Sequence, residues 1–177
     1  RIIELLQKQR SDLDHLAQGM RSQLDGLLAS HVQGDTPPVM RILQGEAQFL
    51  RAIRLMFDEV KDEILLIGSL DHFVDIVSEQ TYQKLAEERI AKKIHLRALL
   101  QKTPRTIQLQ KQGDKELRQI YFLPATVTVA SMQLSERRAI IWQPHAPFAL
   151  VIEDVYLVGL WRGMFEGLWE KQTSVSS

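Results

Sequence analysis

Apolar positions in the first 33 residues follow a seven-residue rhythm. Leu6, Leu13, Met20 and Leu27 fall seven apart, with Leu16, Leu24 and either Ile2 or Ile3 on the same face. Such a repeat keeps one seam of a helix turned toward a partner helix, which is the logic of a coiled coil. Gln9, Gln23 and Ser30 interrupt the second seam position, so the zipper is imperfect. The stretch contains no Pro and predicts one helix over residues 1–33, about 48 Å long at about 1.5 Å per residue. Two readings stand side by side: a helix that pairs two copies of the chain, and an amphipathic helix folded onto its own domain. Residues 34–38 carry Gly34, Pro37 and Pro38, which break the helix and mark a linker.

The pattern then becomes that of an α/β domain, predicted over residues 39–171 and followed by a polar tail at 172–177. Residues 39–43 form a short apolar strand candidate. Ala47, Leu50, Ile53, Phe57 and Val60 share one helical face within 45–62. The continuous apolar run at 63–69 reads as a buried strand. A helix over 72–92 turns Phe73, Ile76, Val77 and Leu85 inward, and 94–100 is a further strand. This β-α-β-α-β order implies parallel strands covered by helices. Residues 101–119 are polar and weakly periodic, a loop or a short helix. Strand candidates follow at 120–123, 126–134, 139–142 and 148–153, with turns at Pro124, at 135–137 and at 144–147. A closing helix over 155–169 carries Leu157, Leu160, Trp161, Met164, Phe165, Leu168 and Trp169. The expected architecture is thus a mixed α/β sheet with covering helices behind a long leading helix.

Composition narrows the chemistry. Twenty-two basic and 22 acidic residues leave a net charge of +0, so the chain has no global field to attract nucleic acid. The absence of Cys excludes disulfides and thiolate chemistry and suits a reducing cytoplasm. No apolar run approaches the roughly 18 residues of a membrane span, and no signal peptide is visible. The chain opens at Arg1 inside a helical pattern, which reads as a fragment or processed form.

The long helix and Pro-containing linker lead into a strand ending at Gly45. The stretch Glu88-Arg89-Ile90-Ala91-Lys92-Lys93-Ile94 then precedes His95-Leu96-Arg97. Tyr121-Phe122-Leu123-Pro124 precedes the run of strands, and Met164-Phe165-Glu166-Gly167-Leu168-Trp169 lies near the end. In this order the pieces resemble the effector domain of TrmB-like sugar-sensing transcription regulators, over essentially the whole chain. The resemblance implies a phospholipase-D-like fold, a winged-helix DNA-binding domain ahead of the long helix, dimers, and a response to sugars or other small metabolites. Contact with DNA would then run through a domain that is not part of these residues.

Phospholipase-D-like enzymes need His-x-Lys-x-x-x-x-Asp, whose His attacks phosphorus and whose Lys holds phosphate. The corresponding positions are Val129, Ser131 and Glu136, so only the acid survives in kind. The expectation is a protein that is not an enzyme and holds no cofactor. His15, His31, His72, His95 and His145 lack ligand spacing, so no metal site is expected. Ser11, Ser69 and Ser135 lack the nucleophile-elbow motif.

In open α/β sheets ligands bind beyond the carboxyl ends of the strands. That places Ser69, Asp71 and His72 at a candidate effector site, with Arg137, Trp142, Gln143 and His145 joining from later turns. An aromatic platform with hydrogen-bonding neighbours suits a sugar. The competing readings are core filling for Trp142 and helix capping for Ser69 and Asp71. Lys92, Lys93, Arg97, Lys102, Arg105, Lys111, Lys115 and Arg118 form a basic cluster, read as a solvated face or, in part, as the seat of an anionic effector. Gly159, Gly163 and Gly167 repeat every fourth residue and are expected to allow close packing of the last helix. The leading reading is therefore the sensing and dimerising part of a transcription regulator. Its rivals are a non-sensing protein-interaction scaffold and a phosphodiesterase-like enzyme.

Overall fold

The run Glu63–Gly68 is buried on both sides, with Ile64, Leu65 and Leu66 all inaccessible, and the rest of the body is built around it. In the computed structural model, residues 38–124, 130–142 and 148–175 are described. The zipper residues Leu6, Leu13, Leu16, Met20, Leu24 and Leu27 lie outside them, as do Gln143 and His145. The chain divides into two units, Arg1–Pro38 and Val39–Ser177, and the second is described here.

Its elements are β1 (Val39–Gln44), α1 (Glu46–Glu59), β2 (Glu63–Gly68), α2 (Leu70–Val77), α3 (Glu79–Ala91) and β3 (His95–Leu100), followed by α4 (Pro104–Lys111) and a 3-10 turn at Gly113–Glu116. Then come β4 (Arg118–Phe122), β5 (Ser131–Leu134), β6 (Arg138–Trp142), β7 (Phe148–Glu153) and α5 (Val155–Val175). The strands make one sheet in the order β1-β7-β6-β5-β2-β3-β4. β2, β3 and β4 run parallel, whereas β5 is antiparallel to β2 and the remaining neighbours are antiparallel.

The sheet is therefore mixed, and one expectation needs correction: β1 does not lie beside β2. It pairs with β7 at the far edge, Val39 opposite Glu153 and Gln44 opposite Phe148. An edge strand has one pairing side free, and β1 is largely exposed, with Ile42 at 62%. Its apolar letters specify a strand but not a neighbour.

The expected helix over 72–92 is two helices. Ser78 takes φ 73, ends α2 and caps α3 by accepting the Thr81 N–H at 3.3 Å. A serine hydroxyl competes with the helical hydrogen-bond pattern and favours caps, which overrides the periodicity across the junction. The polar stretch after β3 contains α4, started by a reciprocal cap between Thr103 and Thr106 with Pro104 in the first turn. Pro is tolerated there because the first helical N–H groups have no intrahelical acceptor.

Side chains alternate across the sheet and create two cores. One face, with Ile64, Leu66, Ala98, Ile120 and Ile140, packs against α1, α2 and α3. α1 presents Phe49, Ala52, Ile53, Met56 and Phe57 to it, whereas Ala47, expected inside, is exposed. The other face, with Leu65, Leu99, Leu134 and Ile152, packs against Val158, Phe165 and Trp169 of α5. The glycine row of α5 is a second correction. Gly163 stands about 200° around the helix from Phe165, so it points away from the sheet. A Cβ added at Gly159, Gly163 or Gly167 would meet nothing within 4 Å among the described residues. Leu160 and Met164, apolar residues of the same helix, are exposed beside that row.

A cavity with buried donors under the second and third helices

The start of α2 is built by capping and close approach. Ser69 accepts the His72 N–H at 3.5 Å, and its own N–H donates to Ser131 Oγ at 2.9 Å. The Ser131 hydroxyl donates back to the Ser69 carbonyl at 3.1 Å. Gly68 makes this contact feasible: its φ is 135, and a Cβ there would lie 2.6 Å from the Ser131 Cα. The Asp71 carboxylate accepts from Arg105 Nε at 2.8 Å, and Arg105 also pairs with Glu79. Ser69 thus caps a helix, as one of the two readings had it, while Asp71 is held in an ion pair.

Trp142 stands opposite Ser131 in register, so Ser69 and Trp142 share one end of the sheet. Arg137 does not join them. It precedes β6 while Trp142 ends it, about 16 Å away at about 3.3 Å per residue. Trp142 is only 3% exposed and belongs to an aromatic group with Phe49 and Phe73, each ring centroid 5.6 Å from its own. Phe73 in turn meets Tyr82 edge-on.

Phe73, Tyr82 and Trp142 border a cavity of about 70 Å³ between the sheet and α2 and α3. Its walls are largely apolar, with Leu66, Leu85, Leu100 and Ile120 among them. Its polar lining is Tyr82, Arg89, Arg118, Gln133 and Trp142. Two of these residues carry buried donors with no hydrogen-bond partner among the described residues: Nε1 of Trp142, and Nε and Nη1 of Arg118. Leaving a buried donor unsatisfied costs about 1–3 kcal/mol, more for a charged group. Three such donors around one cavity are a concentration that needs a physical reason.

Arg118 is 5% exposed, and its Nη2 bonds the Glu116 carboxylate at 2.6 Å. Arg89, 3% exposed, spends its guanidinium on the backbone. It donates to the carbonyls of Ile94, Glu116 and Leu117, clamping a turn in which Leu117 takes φ 51. Burial and the neighbouring Arg118 charge lower the Arg89 pKa to about 10. Of the two buried guanidiniums, Arg118 is paired with a carboxylate and Arg89 only with backbone carbonyls. A wider polar pocket of about 420 Å³, with Glu79, Gln83, Gln108 and Gln112 on its walls, lies beyond. Tyr82 and Arg118 line both spaces and form the partition between them. Burial pushes the Tyr82 phenol pKa up.

The basic cluster separates accordingly. Lys92 pairs with Asp58, Arg97 with Glu63 and Glu166, and Arg105 with Asp71 and Glu79, while Lys102 lies over the Phe122 ring. Arg118 alone of that group carries two buried donors without partners among the described residues. Period-two alternation was the signal for it: Arg118 shares a strand face with Ile120. Starting the strand at residue 120 hid that register.

The phospholipase motif is absent in the neighbouring register too. Moved onto β5 and β6, its positions become Ser131, Gln133 and Arg138, which supply neither the nucleophile nor the phosphate-binding Lys. No cluster of three or more His, Asp or Glu able to hold a metal occurs among the described residues, and no helix among them is long and apolar enough to cross a membrane.

No protein-family model and no curated protein matches the sequence. Among solved structures the fold is similar to that of TrmBL2, an archaeal chromatin protein with a novel mode of DNA binding, at 18% identity and a TM-score of 0.52. The likeness covers 96% of this chain and 66% of that one, so the chain spans slightly less than two thirds of TrmBL2. Phosphatidylserine synthase of Haemophilus influenzae Rd KW20 is also similar, at 9% identity and a TM-score of 0.45, over 77% of this chain and 38% of that one. The fold is thus the TrmB-like α/β fold that the sequence resemblance implies.

Proposed function

We propose that the chain is the small-molecule-sensing and pairing part of a transcription regulator, not an enzyme. The observation that carries the sensing half is the cavity under α2 and α3, where Trp142 and Arg118 hold buried donors without partners. A ligand with an acceptor for either residue satisfies donors that are otherwise idle, which makes its binding the more favourable. Ser69, Asp71 and His72 belong to the start of α2, whose Leu70 and Phe73 line this space, and Gln143 and His145 follow Trp142 in the sequence. Arg137 lies apart from that group.

The pairing half rests on the seven-residue seam of Leu6, Leu13, Met20 and Leu27, flanked by Leu16 and Leu24. In this reading residues 1–33 join two copies, residues 39–171 carry the sensor, and DNA is reached through a winged-helix domain outside the 177 residues. The effector changes the spacing of the DNA readers only through its difference in affinity for two arrangements of the pair.

Thermal unfolding of the chain against sugars, nucleotides, phosphates and carboxylates tests the sensing half. A ligand held by the native state at 100 times its Kd adds about 2.7 kcal/mol of stability and raises the melting temperature. A library that moves it nowhere leaves the scaffold reading instead. For pairing, sedimentation velocity should report a dimer that the double substitution Leu13→Glu, Met20→Glu converts to monomer. A wild-type chain that stays monomeric at high concentration removes the pairing half.

A further inference from the structure

We propose that the cavity under α2 and α3 binds a linear aliphatic monocarboxylate, its carboxylate on Arg118 and its chain along the apolar walls toward Trp142. This deepens the sensing reading above and rests on it.

The charge count selects a single negative charge. Arg89 and Arg118 are both buried; Glu116 supplies the one carboxylate paired with Arg118, whereas Arg89 reaches only the Glu116 backbone carbonyl. Arg89 has already committed its donors to three backbone carbonyls, so the remaining capacity lies on Arg118 Nε and Nη1. Charge-assisted hydrogen bonds from a guanidinium to a carboxylate are about twice as strong as neutral ones, and burial strengthens them further. A phosphate dianion would bring a second charge that this cluster does not balance.

The walls select the body of the ligand. Beyond Arg118 the cavity is bounded mainly by Leu66, Leu85, Leu100 and Ile120, which offer no hydrogen bonds from their side chains, with Tyr82, Gln133 and Trp142 as the polar exceptions. A sugar would strand most of its hydroxyls there. Arg118 on β4 and Trp142 on β6 are four strands apart in the sheet order, about 19 Å between backbones at about 4.8 Å per strand. Both side chains line the cavity. Its volume of about 70 Å³ is roughly half that of the 150 Å³ cavity known to take benzene, which favours a thin chain over a ring. The anion enters from the outer polar pocket past Tyr82, which with Arg118 forms the partition.

Isothermal titration of the intact chain with acetate, butyrate, hexanoate and octanoate, each beside its neutral amide, tests the assignment. The expected result is at least a tenfold preference for carboxylate over amide. Affinity should rise roughly fourfold per methylene until the chain fills the cavity. Arg118→Met should abolish the preference. Glu116→Gln removes the competing carboxylate and should tighten hexanoate severalfold, a change opposite in sign to any loss of fold, so the test survives a misfolded Arg118→Met. Equal binding of hexanoate and hexanamide, or an unchanged affinity in Glu116→Gln, overturns the proposal. Inorganic phosphate binding more tightly than hexanoate overturns it as well. A sugar that binds where every carboxylate fails overturns the carboxylate and leaves the sensing reading intact. Silence from all probes removes both.

Discussion

The two faces of the sheet hold arginine clusters that differ in how fully they are paired. On the α5 face, Arg97 donates to both Glu63 and Glu166, Arg162 adds a bond to Glu63, and the Arg97 guanidinium lies 5.3 Å from the Trp169 ring centroid and 5.7 Å from that of Phe165. Two cations meet two carboxylates. Hydrogen bonds donated to Glu166 and Glu63 push the Arg97 pKa further up, and the Arg97 bond holds Glu63 below its ordinary range. On the other face Arg138 is paired with Glu59 and Glu153, but under α2 and α3 Arg89 meets only backbone carbonyls and Arg118 only the Glu116 carboxylate, and among the described residues Arg118 keeps two donors idle beside a cavity. The first arrangement stabilises the fold. The second leaves stability unclaimed, which is how a site that must bind something differs from one that must only hold.

The contrast can be broken in several ways. Phe165→Ala, in the closed core under α5, should cost about 3–5 kcal/mol in urea unfolding. A loss below about 1 kcal/mol would mean that α5 is not closely packed. Arg97→Met should cost about 2 kcal/mol, since it strands two partly exposed carboxylates, whereas Arg118→Met should cost less than about 1 kcal/mol because idle buried donors leave with the charge. Equal losses would erase the difference between the faces. The same pair separates by pH. Glu63 titrates below its ordinary 4.5 in the folded chain, so its contribution is complete above that pH and is lost as pH falls through the folded value. Wild type should therefore lose stability more steeply below pH 4.5 than Arg97→Met does. The smallest effect has the opposite sign: Gly163→Ala should stabilise by about 0.5–1 kcal/mol, because its Cβ meets nothing and glycine is a poor helix former. Destabilisation there would show that something covers the outer side of α5.

The candidate site was only partly legible. Trp142, Ser69 and Asp71 were found by the rule that ligands sit beyond strand ends, and the structure gathers Ser69 and Trp142 through Ser131. Arg137 satisfied the same rule but lies at the other end of β6, because a turn residue's distance from a strand end depends on strand direction. Arg89 passed for a helix-end residue, and Arg118 for one charge among many on a polar stretch. Neither letter says that a side chain points inward, and both orientations follow from register and the turn that Arg89 clamps.

Short-range physics determined much from the letters alone. The apolar runs specify seven strands, the spacing of Phe49, Ile53 and Phe57 specifies a helical face, and the missing His and Lys exclude the phospholipase motif. Tertiary structure decided what depends on distant pairing: β1 beside β7, the glycine row outside, and a buried Arg118 on the Glu116 carboxylate. Periodicity is set by neighbours along the chain. Burial of a charge depends on which strands and helices close over it, and that closure exists only in the folded body.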